Sequence, residues 1–124
     1  MPPFQSPLVF LTTLAEPTRL RILNCLAAAP LFVSDLQAIL DLPQPTVSRH
    51  LRVLRKIGIV RDTPIAQFVL YRLHREDTAR GTVVRAMLET VHSDEKLKVE
   101  RLLAVRRSRA HAVDRTKSSE PARS

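Results

Sequence analysis

The sequence predicts a mainly α-helical fold with one small β-hairpin. Apolar residues recur at helical spacing through most of residues 8–57, and the same period returns after residue 78. Between these stretches, residues 59–73 are rich in β-branched and aromatic side chains on both sides of a proline. A chain of 124 residues, 44% of them hydrophobic, suffices for one core. The expected organisation is a lead-in at 1–7, one domain at 8–107, and a basic, disordered tail at 108–124.

Two short apolar helices are expected first. Leu8, Leu11 and Leu14 lie at helical spacing and predict a short helix whose strongly apolar surface needs a partner. Pro17 then suits the first position of a second helix, where its missing N–H costs no hydrogen bond. This second helix is mostly core and ends near residues 29–30.

Two further helices are expected to follow, joined by a tight turn. Ser34 and Gln37 have the spacing of a capping box at the start of a third helix, which continues through Leu40. Residues 41–44 leave room only for a turn before a fourth helix, which we expect at about 45–57 with Pro45 at its first position. Gly58 suits the left-handed residue that closes such a helix.

A β-hairpin and two more helices complete the prediction. The expected strands, residues 59–63 and 67–73, flank a turn at 64–66. The helical period resumes from about Thr78, and a last helix is expected from Glu95 to Arg107. Residues 108–124 offer almost nothing to bury, which favours disorder.

The fourth helix, QPTVSRHLRVLRK, has one apolar and one cationic side. At 100° per residue, Val47, Leu51 and Leu54 fall within one narrow sector. Its cations Arg49, Arg52 and Lys56 fall on the opposite side. The apolar stripe can anchor the helix while the cationic side enters the major groove of DNA, which is wide enough for one α-helix.

Position along this helix predicts what each side chain contacts. Residues near its start can reach base edges, whereas cations further along meet phosphates. The candidate base-contacting residues are Gln44, Thr46 and Arg49, the candidate phosphate contacts are Arg52, Arg55 and Lys56, and Ser48 suits either role. His50 leans toward the packed side, so we interpret it as a partly buried structural residue. In the hairpin, Arg61 and Arg72 are further candidates for backbone contact.

Composition supports a polyanionic partner inside the cell. The formal net charge of +8 favours DNA, because clustered cations displace counterions from phosphates. Cys25 is the only cysteine, so no internal disulfide can form, and we interpret it as a small buried apolar residue. With no leader and no apolar window of about 20 residues, the expected location is the cytoplasm, without membrane contact.

Three segments in order give the chain a family resemblance. They are LAEPTRLRIL followed by VSDL, then QPTVSRHLRVLRKIGIVRD, then FVLYRL. Together they resemble the ArsR/SmtB family of winged helix-turn-helix repressors over residues 8 to about 92. The resemblance implies a homodimer on a near-palindromic operator, with the first helix and the helix after the wing forming the dimer contact. Double-stranded DNA and a second copy of the chain are therefore the expected partners.

The sequence departs from the family at its sensor sites. Family members that sense metals commonly carry a Cys-x-Cys motif in the helix that corresponds to the third helix of this chain. This chain has no cysteine there. The family's metal pattern after the wing is also missing, since Asp77 is followed by Thr78 and Ala79. We expect no metal and no cofactor. The wing turn lacks a cation as well. Four arginines of the last helix and tail could compensate for it, namely Arg101, Arg106, Arg107 and Arg109.

Two rival functions remain open. A winged-helix module that binds an acidic protein, without specific DNA recognition, would show the same charge. An enzyme is disfavoured, because no nucleophile lies beside a base and no glycine-rich phosphate loop is present. DNA-binding regulation of transcription, as a repressor, remains the leading hypothesis.

Overall fold

Helices make up most of the fold, and a three-stranded antiparallel sheet completes it. The computed structural model describes the backbone of residues 6–119 and the side chains of residues 6–114. In chain order the elements are α1 (Pro7–Leu14), α2 (Pro17–Ala28), β1 (Leu31–Phe32), α3 (Val33–Leu40), α4 (Gln44–Lys56), β2 (Val60–Ile65), β3 (Phe68–Leu73), α5 (Ala79–Thr90) and α6 (Glu95–Ser119). The sheet order is β1-β3-β2. The predicted fold class, helical with a small β wing, is confirmed.

The core lies where α2, α3 and α4 meet the sheet. The inward residues of these helices are leucines, isoleucines and valines that expose almost no surface. The largest fully buried apolar side chains are Ile22, Leu23, Leu31, Leu36, Val47, Leu51, Leu54, Ile59 and Val60. The tight turn after Leu40 reverses the chain between α3 and α4, and Asp41 adopts a left-handed φ of 56° there.

The start of α3 differs from the predicted capping box. The helix begins at Val33, and the carboxylate of Asp35 accepts the backbone N–H of Phe32 at 2.9 Å. Ser34 therefore lies inside the helix, where it is exposed. The predicted capping box of Ser34 and Gln37 was wrong. Residues Leu31 and Phe32 form the short strand β1, which the sequence analysis missed because two residues carry no periodicity.

The end of α4 has the predicted glycine. Gly58 has a φ of 84°, and its N–H donates to the carbonyl of Arg55 at 3.0 Å. The N–H of Ile59 donates to the carbonyl of Leu54 at 3.2 Å, which completes a Schellman motif. At the other end α4 begins one residue earlier than expected, so Pro45 occupies its second position.

The hairpin turn lies at residues 66–67, whereas residues 64–66 were predicted. β2 continues through Pro64 and Ile65, and Ile65 pairs with Phe68 across a two-residue turn. Ala66 in that turn has a φ of 55°. Because β2 is an edge strand, Pro64 can lie within it without removing a hydrogen bond from a central strand.

The two terminal segments are more helical than predicted. Pro7, expected in the lead-in, is the first residue of α1. Helix α6 continues to Ser119, whereas residues 108–124 were expected to be disordered. The structure therefore differs from the expectation over residues 108–119, and polar contacts of Arg107 and His111, described below, hold this part of α6 to α3. Residues 120–124 lie outside the described part of the chain, as do residues 1–5 of the lead-in.

Candidate nucleic-acid interface

Helix α4 is oriented as its sequence predicts. Val47, Leu51 and Leu54 are completely buried and pack in the core. Arg49 and Arg52 are exposed on the opposite side of the helix, and within the described side chains neither forms a hydrogen bond or an ion pair. The helix therefore presents a cationic surface at Arg49 and Arg52 that no side chain of residues 6–114 neutralises by a direct contact.

Small polar residues occupy the first turn of α4. Gln44 is exposed, and its side-chain N–H donates to the hydroxyl of Ser48 at 2.6 Å. Thr46 lies between them and is half-exposed. The bond from Gln44 orders this end of the helix while leaving the amide oxygen and the second N–H of Gln44 for a partner.

His50 is a structural residue, as its wheel position indicates. It is buried, and its Nδ1 accepts a hydrogen bond from Nε of Arg19 at 3.2 Å. Burial lowers the pKa of His50, and the nearby guanidinium groups of Arg19 and Arg49 lower it further, against the opposing carboxylate of Glu16. A neutral His50 thus ties α4 to the start of α2.

Arg55 is committed within the protein. Its Nη1 donates to Oδ2 of Asp62 on β2 at 3.0 Å, and both side chains remain partly exposed. A phosphate contact by Arg55 must therefore compete with this carboxylate. Lys56, the next residue, is exposed and has no such partner among the described side chains.

Two arginines face each other across the wing. Arg61 and Arg72 are directly opposite in the β2–β3 register, so their side chains leave the same face of the hairpin. Both are exposed, and Nη2 of Arg61 lies 3.1 Å from Nε2 of His74. Like charges placed opposite each other destabilise a hairpin. An anion between them, such as a phosphate, relieves that repulsion.

A groove separates the start of α4 from the wing. Its volume is about 410 Å³, and it is lined by polar and aromatic side chains that include Phe32, Gln37, Gln44, Ser48, Gln67 and Phe68. Phe68, the first residue after the wing turn, is 57% exposed, and its ring lies 6.0 Å from that of Phe32. Phe32 therefore contacts the wing at one wall of this groove.

Comparison with known proteins assigns this arrangement to a family. Residues 16–62, which include α2, α3 and α4, match the sequence profile described as bacterial regulatory protein, arsR family. The chain is also 38% identical over 84 residues to the transcriptional activator HlyU of Vibrio cholerae, a match that covers 68% of this chain and 72% of that protein. The chain belongs to the arsR family.

Other members of the arsR family agree with the assignment. The chain is 43% identical over 72 residues to the biofilm growth-associated repressor of Agrobacterium fabrum. This match covers 58% of this chain and 62% of that protein. It is thus matched to less than two thirds of that relative's length. The crystal structure of the transcriptional repressor BigR from Xylella fastidiosa superimposes with a TM-score of 0.61 at 30% identity, covering 71% and 85% of the two chains. The arsR family consists of transcriptional regulators and not of enzymes.

The arsR-family fold carries one contact set here that the sequence analysis missed. Asp35 is completely buried at the start of α3, where it meets Arg107 and His111 of α6. Arg107 and His111 continue the spacing of Leu97 and Ala104 on the docked side of α6. That spacing was the available signal, but Arg107 was expected to be the last residue of the helix and His111 was placed in the disordered tail because of its polar surroundings.

Cys25 and possible metal ligands are the candidates for a sensor site that the sequence analysis considered. Cys25 is completely buried, as predicted, and burial raises its pKa to about 12. A thiol with that pKa is a poor nucleophile at neutral pH. Within the described residues, no three His, Cys, Asp or Glu side chains are grouped so that they could hold a metal ion. None of the described helices has the length and hydropathy needed to cross a bilayer.

Proposed function

We propose that the protein is a homodimeric, sequence-specific DNA-binding repressor of transcription that acts in the cytoplasm. The observation that carries this proposal is the orientation of α4, whose apolar side is buried while Arg49 and Arg52 extend from the body without intramolecular partners among the described side chains. Membership of a family of transcriptional regulators supports DNA as the partner. The names of the A. fabrum and X. fastidiosa relatives favour repression, whereas that of the V. cholerae relative is an activator.

The proposed division of labour follows the length of α4. Gln44, Thr46 and Arg49, near its start, contact base edges, and Ser48 contacts either a base or a phosphate. Arg52 and Lys56, further along, contact phosphates and set affinity without sequence preference. Arg55 joins them only when it leaves Asp62.

The wing contributes backbone contacts in this proposal. Arg61 and Arg72 together bind one phosphate, which neutralises the two like charges that the strand register places opposite each other. The wing tip has no cation between Pro64 and Phe68, so its contribution is positional and not electrostatic.

A second copy of the chain covers the exposed apolar surface of α1 and α5. Leu8 is 75% exposed and Leu11 48%. Leu11 and Val83 of α5 line a groove of about 270 Å³. Side chains of this size gain free energy when an apolar partner removes them from water. Two α4 helices in such a dimer would contact half-sites about 34 Å apart.

Selection from a random duplex pool tests the proposal. The full-length protein is incubated with random double-stranded DNA at fixed salt, and bound duplexes are amplified and sequenced. We expect enrichment of a near-palindromic sequence, and we expect Arg49→Ala to lose about 1 to 3 kcal/mol on that sequence only. Lys56→Ala is the matched control, because loss of a phosphate contact weakens binding to all duplexes alike and lowers the salt dependence. Absence of any enriched sequence would reject specific recognition.

A further inference from the structure

The second half of α6 is held against the start of α3 by one buried carboxylate. Oδ1 of Asp35 accepts a hydrogen bond from Nε of Arg107 at 2.7 Å, and it lies 2.7 Å from Nε2 of His111. Oδ2 of the same carboxylate accepts the N–H of Phe32 at 2.9 Å. The hydrogen bonds from these partners hold the pKa of Asp35 below its ordinary value, against the opposing effect of burial. The carboxylate therefore joins α3, β1 and α6 at a single point.

Aromatic contacts carry this connection on to the wing. The rings of His111 and Phe32 meet edge to face, with centroids 5.1 Å apart and planes at 89°. Phe32 in turn contacts Phe68 at 6.0 Å, and Phe68 directly follows the wing turn. Phe32 thus lies between α6 and the wing, in the wall of the groove that also contains Gln44 and Ser48 of α4.

Helix α6 is docked by polar pairs more than by apolar surface. Of its apolar side chains that the structure describes, Leu97 and Ala104 are buried, whereas Val99, Leu102 and Val113 are at least half exposed. Glu100 is bonded to Arg21 of α2, and Arg101 to Asn24 of α2. Polar pairs have strict geometry, so they fix where the helix sits as well as whether it sits there.

We propose that Asp35, Arg107 and His111 are positioning residues for DNA recognition, because they set the distance between the wing and α4 through Phe32. The inference rests on the proposed DNA-binding function. Arg107 and His111 touch no DNA in this proposal. They act by keeping the Phe32 and Phe68 rings in place, so that the wing and the first turn of α4 meet the same duplex together.

A spectroscopic experiment tests the positioning without DNA. Gln67→Cys on the wing and Arg52→Cys on α4 are both exposed sites for spin labels, while Cys25 resists labelling because it is completely buried. The distance between the labels is measured in the full chain with and without Arg107→Ala and His111→Ala. We expect a narrow distribution in the parent and a broader or shifted one in the variant. An unchanged distribution in the folded variant would overturn the inference.

The matched control is Arg109→Ala, which removes the same charge from the exposed side of α6. We expect the Arg107→Ala, His111→Ala variant to bind the selected duplex roughly 2- to 30-fold more weakly, at unchanged salt dependence. Arg109→Ala should leave the label distances unchanged. If the double variant does not fold, His111→Ala and His111→Gln replace it. Glutamine can still donate to Asp35, so it should restore much of what alanine loses.

The outcomes separate this inference from the function on which it rests. If the parent protein enriches a sequence but the Arg107→Ala, His111→Ala variant binds it with parental affinity, only the positioning role is wrong. If the parent enriches no sequence, the proposed function fails and the inference about recognition falls with it.

Discussion

At the scale of single residues, His50 shows how a side chain inside α4 can be ionisable and still structural. Its Nδ1 accepts a hydrogen bond from Arg19, which requires that nitrogen to be unprotonated. Glu16 lies 3.8 Å from the same nitrogen and favours the charged form, but burial and the neighbouring arginines outweigh it. The pKa of His50 is consequently lower in the folded protein than in the unfolded chain.

This shift predicts a loss of stability on mild acidification. Because the unfolded chain binds the proton more tightly, the stabilisation is present above the ordinary imidazole pKa of about 6.5 and is lost as pH falls through the folded value. We expect the free energy of unfolding to fall less between pH 7.5 and 5.0 in His50→Gln than in the parent, measured by urea titration. His92→Gln, at an exposed position, should keep the parental pH dependence. Equal slopes for the parent and His50→Gln would contradict the assignment.

At the scale of elements, the bond between Arg55 and Asp62 joins the last turn of α4 to the first wing strand. Both side chains are partly exposed, so the pair contributes only about 0 to 1 kcal/mol to folding. Its larger effect is expected on the proposed DNA binding, because Asp62 places a negative charge on the proposed phosphate-contacting surface and occupies the guanidinium of Arg55.

Releasing that pair should strengthen nonspecific binding. In Asp62→Asn we expect affinity for an unrelated duplex to rise and the slope of log K against log salt to steepen by about 0.9, the value for one additional phosphate contact. The measurement is a fluorescence titration at several salt concentrations. Asp41→Asn, in the exposed turn before α4, removes the same charge without freeing an arginine. Identical slopes in the two variants would show that Arg55 gains no phosphate contact.

Elements also differ in how well the sequence predicts them. Helix α4 and the glycine that ends it were predictable, because Val47, Leu51 and Leu54 follow the helical period and Gly58 suits a left-handed residue. Strand β1 was not, since its pairing with β3 depends on a partner about 40 residues away. The second half of α6 was missed for a related reason. Its docked side carries the guanidinium of Arg107 and the imidazole of His111, which bond to Asp35 more than 70 residues earlier. From composition alone, such polar residues are expected to face solvent.

The candidate site shows the same limit. Sequence position correctly separated the exposed arginines of α4 from its buried stripe, because helix geometry fixes which side each residue takes. It did not show that Arg55 already has a carboxylate partner or that Arg61 and Arg72 lie opposite each other. The first fact depends on how α4 packs against β2, and the second on the register of the hairpin, whose turn was predicted at 64–66 and lies at 66–67.

At the scale of the whole molecule, two exposed apolar surfaces are candidates for the proposed dimer interface. One contains Leu8 and Leu11 of α1 with Val83 of α5, and Leu11 and Val83 line a concave groove there. The other is the outer side of α6, where Val99 and Leu102 are more than half exposed. The first surface is concave and combines two helices, whereas the second is a single convex helix interrupted by Arg106. A concave surface can enclose the complementary surface of a partner, which favours the first surface as the dimer interface.

Glutamate substitutions distinguish these surfaces. Leu11→Glu places a charge in the proposed interface, and we expect light scattering to report a monomer where the parent and Leu102→Glu give a dimer, since an unpaired charge is costly to bury. The monomer should bind an isolated half-site with parental affinity. The dimer should bind the palindrome more tightly than a half-site, and the monomer should lose this difference. In the monomer the two α4 helices are not linked, so binding of the first does not raise the local concentration of the second. A monomeric Leu102→Glu with a dimeric Leu11→Glu would move the interface to α6 and change the separation expected between half-sites.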